Sequence, residues 1–216
     1  MESNTRPPAV KQKKAYSKGF LFKKRTAAFS RWLHLYLSMF SFLIVLFFAV
    51  TGLTLNHTEW FDGMQSERKL EGSLTPEWVN DTDTANIKKL EIVEFLRKQY
   101  GITGYVSDFY IQDDQCSISF KGPGYGADAF INRADGTFQL SEFRLGIFAV
   151  LNDLHKGRDS GKGWGFLIDI SAIFLTLVSL SGLVMLFFLK KKRMVAIFVS
   201  IAGGIICYLV YRFWVP

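Results

Sequence analysis

The chain has three histidines, and each marks the edge of a long apolar run. His34 opens the run 32–55, His57 follows its end, and His155 precedes the run that begins at Trp164. Imidazole is the commonest metal-ligating side chain. Two axial histidines would saturate a haem iron, which suits electron transfer better than oxygen activation because no coordination position stays open. A porphyrin between helices wants small residues beneath it and cations near its propionates. Helical steps from His34 reach Ser38, Ser41, Val45, Phe48 and Gly52, and the second run carries Ala172, Thr176, Ser179 and Gly182. Arg31, Arg158 and Lys162 are the nearby cations. Histidines at a membrane edge are equally common as plain interfacial residues, and small-residue stripes as plain helix contacts. The three histidines alone leave both readings open. Zinc is a weaker fit, because no closely spaced His pair or Cys/His cluster is present.

Three runs must position these residues. Residues 32–55, 164–189 and 194–214 are each long enough to cross a hydrocarbon core of ~30 Å as a helix. The first holds 24 residues without a formal charge, far beyond the ~7–15 apolar residues of a signal peptide. A retained span is therefore expected, although Ala49-Val50-Thr51 weakly resembles a cleavage site. Asp169 sits near the start of the second span and reads as an interfacial acid favoured by the helix dipole.

The net charge of +7 is unevenly distributed. Residues 1–31 carry nine Lys/Arg and one acid, and Lys190–Arg193 joins the second and third spans. Segment 56–163 has seventeen acids against twelve bases. Basic flanks stay on the cytoplasmic side, so the N-terminus is expected inside and the large acidic segment outside. The basic surface reads as a topogenic and lipid-headgroup signal, and a nucleic-acid partner is not expected. Cys116 and Cys207 fall in different environments, and without CxxC or CxxCH neither thiol redox chemistry nor covalent haem attachment is supported.

The resulting organisation is an α-helical integral membrane protein of three transmembrane helices with an inserted small α+β domain. Residues 1–30 form a basic cytoplasmic segment, 31–57 the first span and 58–142 the outer domain. Residues 143–163 form an amphipathic interfacial segment, 164–189 the second span, 190–193 a basic turn and 194–216 the third span. Within the outer domain, 58–80 reads as irregular. A helix capped by Asp83 or Thr84 then ends at Gly101. Strands follow over 105–112, 116–121, 127–132 and 137–140 as an antiparallel meander. The glycine loop around Tyr125 is a hairpin connection, and no catalytic carboxylate pair stands out. In the interfacial segment Phe148, Leu151, Leu154 and His155 are expected to face the apolar side, with Asn152, Asp153 and Lys156 turned away.

Short motifs carry a resemblance: Arg31-Trp32-Leu33-His34-Leu35-Tyr36, Thr51-Gly52-Leu53, Leu151-Asn152-Asp153-Leu154-His155 and Ser181-Gly182-Leu183. In this order and spacing they resemble the PepSY-associated transmembrane helix family, and 131–140 resembles the close of a PepSY domain. The resemblance covers roughly residues 30–190. It implies a bacterial inner (cytoplasmic) membrane protein with a periplasmic PepSY-like domain held between spans. Larger relatives include haem-binding ferrisiderophore reductases with two such units; this chain has one. By that resemblance His34, His57 and His155 become axial ligands of haem b, and Arg31, Arg158 and Lys162 propionate contacts. The implied activity passes electrons from a quinol or a cytoplasmic flavoprotein to a ferric chelate or siderophore in the periplasm. An odd number of histidines leaves one without an in-chain partner, which a symmetric homodimer would restore; His57 with His155, within or between subunits, would hold the outer haem, and the two His34 would face each other. The competing reading is a non-enzymatic, membrane-tethered PepSY module that binds or regulates a periplasmic protein. A transporter fits less well, since three spans with one acid offer little pathway.

Overall fold

The computed structural model describes residues 18–61, 63–188 and 192–216. The segment 1–17 and the basic residues Lys190 and Lys191 lie outside those residues. Helix α1 runs unbroken from Lys18–Asn56. Residues 18–30, expected to belong to the basic cytoplasmic segment, are thus part of the same helix, because their Lys, Ala, Leu and Phe residues include no proline to interrupt it. Helices α4 (Gly161–Phe187) and α5 (Arg193–Trp214) follow the two later apolar runs. These three helices are long and apolar enough to cross a membrane.

Between α1 and α4 lies a five-stranded antiparallel sheet. Its strands are β1 (Ser66–Ser73), β2 (Tyr105–Ile111), β3 (Gln115–Gly122), β4 (Tyr125–Asn132) and β5 (Thr137–Arg144), in the order β1-β5-β4-β3-β2. Helix α2 (Lys89–Tyr100) connects β1 to β2. It begins later than the sequence suggests: Asp83 caps a separate short turn, accepting from the Ala85 N–H. Gly101 ends α2 in the left-handed conformation, at φ 70°, as its position predicts. One inward row crosses the sheet as Leu70, Leu140, Ala129, Ile118 and Phe109. Ile92, Val93 and Leu96 on α2 belong to the same buried core. Each such side chain contributes ~1.5–3 kcal/mol by leaving water.

Strand β1 corrects the expectation of irregular structure over 58–80. Its sequence, SERKLEGS, lacks the alternation of a half-buried strand, and its pairing with β5 from Ser66↔Arg144 to Ser73↔Thr137 supplies the order instead. The inward Arg68 of this edge strand meets Glu142 of β5, a carboxylate only 2 % exposed, at 2.7 Å. Arg144 meets the other Glu142 oxygen at 2.9 Å. Burial pushes the Glu142 carboxyl up, but Arg144 and Arg68 override it and hold the group below the usual carboxylate range.

Helix α3 (Gly146–Lys156) follows β5 and stops at Gly157, in the left-handed conformation at φ 71°. Phe143 and Arg144, expected in this helix, belong to β5. The chain divides into two compact units: Phe42–Ala172, which holds the sheet, and Met1–Ser41 with Ile173–Pro216, which is helical where described.

Candidate functional site

In the sheet unit, α1 presents Thr51 and Thr54 one turn apart, both buried, and α3 brings Asn152 and His155 one turn apart to meet them. Thr54 Oγ1 lies 2.9 Å from the Asn152 side-chain amide and 3.0 Å from the Thr51 carbonyl. His155 Nδ1 lies 2.6 Å from Thr51 Oγ1, and the Thr51 hydroxyl in turn donates to the Phe47 carbonyl at 2.6 Å. A hydroxyl has one proton to give, so Thr51 accepts the Nδ1–H of His155. The ring is thereby the Nδ1–H tautomer, with its lone pair on Nε2, which has no hydrogen bond among the described residues. Phe48 meets the ring edge-on at 5.1 Å. A Cβ at Gly52 would stand 3.5 Å from His155 Cε1, at ordinary contact distance, so α1 passes close beside the ring there. Beside Phe48, an apolar groove of about 210 Å³ is lined by Phe47, Trp164, Leu167 and Ile168.

The other side of α3 is fixed to the sheet. Asp153 accepts from the Gly124 N–H at 2.8 Å and from Arg158 Nε at 2.8 Å. Gly124 has φ +61°, and a Cβ there would lie 2.6 Å from Val150 Cγ2 and 2.9 Å from Val150 N. The Pro123-Gly124 turn is therefore a seat for α3 as well as a hairpin connection. Asn152 and Asp153 are buried, contrary to the expectation that they face away. The amphipathic pattern counted them as solvent-facing polar residues, whereas both have polar partners inside.

The helical unit repeats the same chemistry. His34 Nδ1 lies 2.9 Å from Ser181 Oγ and 3.2 Å from the Val178 carbonyl. Ser181 donates to that carbonyl at 2.8 Å, so its oxygen, like the carbonyl, accepts from the His34 Nδ1–H. Nε2 again holds the lone pair, with no hydrogen bond among the described residues. A Cβ at Gly182 would come within 3.2 Å of His34 Cε1. Of the small residues expected to face a ligand, Gly182 does lie against the histidine. Ala172, Thr176 and Ser179 are exposed, and the buried hydroxyls are Ser171 and Ser181.

A PepSY_TM-like family model matches residues 28–216. The chain belongs to that family. No curated protein and no solved structure matches it. In this PepSY_TM-like chain the third histidine is placed differently. His57 stacks on Trp60 at 4.2 Å and 6°, and its Nδ1 lies 3.1 Å from Glu59. The Glu59 carboxyl is held below its usual range by its own backbone N–H first and by His57 second. No hydrogen bond or ring contact joins His57 to His155 among the described residues. Arg158 is engaged by Asp153, while Arg31 and Lys162 are exposed and carry no ion pair among the described residues. No group of three or more metal-ligating side chains occurs among them either.

The residues that sequence reasoning passed over are Thr51 and Ser181. A signal for them was present: Thr51-Gly52-Leu53 and Ser181-Gly182-Leu183 share one pattern, a hydroxyl followed by glycine and leucine. The donor set fits a haem iron chemically. Each ring has one nitrogen bonded to an oxygen and offers the other, Nε2, as ligating histidines do.

Proposed function

We propose that this chain is a haem b-binding protein of the bacterial inner membrane. In this reading it carries electrons across the bilayer to reduce ferric iron or ferric-siderophore chelates in the periplasm. One observation supports the reading above all others: His34 and His155 each spend Nδ1–H on a hydroxyl and keep an unused Nε2 lone pair within apolar helices. Both rings are half-buried among apolar residues, where an acceptor without a partner is disfavoured, and an iron ligated there would recover that interaction. When bound, the group supplies one-electron redox chemistry.

The chain's own residues do the rest in this reading. Thr51 and Ser181 orient the rings, Gly52 and Gly182 let the helix backbones pass close beside them, and the groove lined by Phe47, Trp164 and Leu167 excludes water. Arg31 and Lys162, free of ion pairs among the described residues, are the propionate partners. Arg158 is already committed to Asp153. Each site offers one imidazole, and a second copy of the chain repeats both across a two-fold axis, completing two-histidine coordination. His57 belongs to the membrane edge in this reading. The electron donor is a quinol or a cytoplasmic flavoprotein.

The test is a reduced-minus-oxidised absorbance spectrum of the detergent-solubilised protein. Sharp low-spin bands are expected. His34→Ala and His155→Ala should each remove a large share of the signal, and His57→Ala should leave it intact. A colourless protein after haemin supplementation would overturn the reading and leave a tethered module that binds a periplasmic protein.

A further inference from the structure

The two histidine sites are built from two copies of one short pattern, and each copy receives the histidine of the other stretch. His34, near the middle of α1, rests on Ser181-Gly182 of α4. His155, at the end of α3, rests on Thr51-Gly52 of α1. In both, the hydroxyl proton goes back to a carbonyl of its own helix, Val178 for Ser181 and Phe47 for Thr51. The hydroxyl oxygen is then left as an acceptor only. In both, the next residue is a glycine that faces Cε1, and the approach is tight at Gly182, where a Cβ would come within 3.2 Å, against an ordinary 3.5 Å at Gly52.

From this geometry we infer that Thr51 and Ser181 are positioning residues, which hold His155 and His34 in the Nδ1–H tautomer and so make Nε2 the ligating atom. A free imidazole side chain favours the opposite tautomer, with the proton on Nε2. Such a ring has no lone pair to give on the side away from the hydroxyl. A back-bonded hydroxyl reverses the preference, because it cannot donate and must receive. The two sites differ in redundancy. His34 has a second acceptor in the Val178 carbonyl at 3.2 Å, whereas among the described residues His155 Nδ1 has Thr51 alone. Loss of Thr51 should therefore matter more than loss of Ser181. The consequence for affinity rests on the haem reading above; the tautomer itself rests on the hydrogen bonds alone.

Two measurements on the full chain in detergent separate these claims. The first is nitrogen NMR of histidine-labelled protein without haemin. His34 and His155 should both show the Nδ1–H tautomer. Thr51→Val should move His155 alone toward Nε2–H, Thr51→Ser should restore it, and Ser181→Ala should move His34 less. An unchanged His155 tautomer in Thr51→Val would overturn the inference. If Thr51→Val does not fold, as judged by the amide signals of the sheet, Thr51→Ala serves in its place. The second is haemin titration followed by absorbance. Thr51→Val should weaken binding at the His155 site by about 10–100-fold, the usual cost of losing a group that orients a metal-bound histidine. Equal haemin affinity despite a switched tautomer would overturn the positioning role. The Nδ1–H tautomer in a wild-type chain that binds no haemin would sink the haem reading while leaving the tautomer assignment in place.

Discussion

At the scale of single residues, polar groups inside this chain are placed by specific partners. Glu142 illustrates the energetics. Two guanidiniums hold its carboxylate ionised in a buried position, so its folded pKa lies below the ordinary value. Its stabilising effect is complete above the unfolded pKa of about 4.3 and is lost as pH falls through the lower folded value. Glu142→Gln removes that dependence and weakens hydrogen bonds to charged groups, each worth about 1.5–3 kcal/mol. The variant should melt earlier at pH 7, and the gap to wild type should narrow toward pH 3. Thermal unfolding of the sheet unit at several pH values checks this; a gap that widens in acid would show that the network is not ionised as described. The three histidines also separate at this scale. His34 and His155 bond to buried hydroxyls within helices, whereas His57 pairs with an exposed carboxylate and an exposed indole.

Among the elements, α3 is the link between sheet and histidine. One side of it presents Asn152 and His155 to α1, and the other presents Asp153 and Val150 to the Pro123-Gly124 turn. Trp164 Nε1 at the start of α4 donates to the Leu154 carbonyl at 2.7 Å and secures the last turn. Truncating Asp153 leaves the Gly124 N–H and Arg158 without their acceptor. Asp153→Ala should destabilise the sheet unit by about 3 kcal/mol, within the range for breaking a buried charged pair. Gly124→Ala combines a left-handed backbone with a contact that α3 cannot accommodate, and should cost more than the ~1 kcal/mol of a left-handed alanine alone. Denaturant melts of both variants check these magnitudes, and a neutral Gly124→Ala would show that α3 is not seated on the turn. Helix α2 is held to the sheet by its apolar face and, at its last residue, by Arg68 of β1, which donates to the Tyr100 carbonyl at 2.8 Å.

For the whole molecule, the distribution of charge sets the orientation we propose, with the sheet unit on the periplasmic side. Cysteine labelling tests it in a Cys207→Ser background, where Cys116 is silent because it is buried. Ser73→Cys should react with a membrane-impermeant maleimide in intact spheroplasts, and Arg193→Cys only after permeabilisation. The reverse pattern would invert the topology.

Much of this architecture could be read directly from the chain. Three apolar runs announce α1, α4 and α5, because an uninterrupted stretch of that length has few stable alternatives. Gly101 and the hairpin turns mark the ends of α2 and of the later strands, because glycine and turn chemistry act locally. The motifs that carry the family resemblance are likewise short and local. Strand β1 was not legible, since an edge strand draws its order from the partner it pairs with. Nor were the roles of Asn152, Asp153, Thr51 and Ser181. His155 and Thr51 are 104 residues apart, and His34 and Ser181 are 147 apart. A hydrogen bond depends on distance and on which atom has a proton left to give, and only the folded chain settles both.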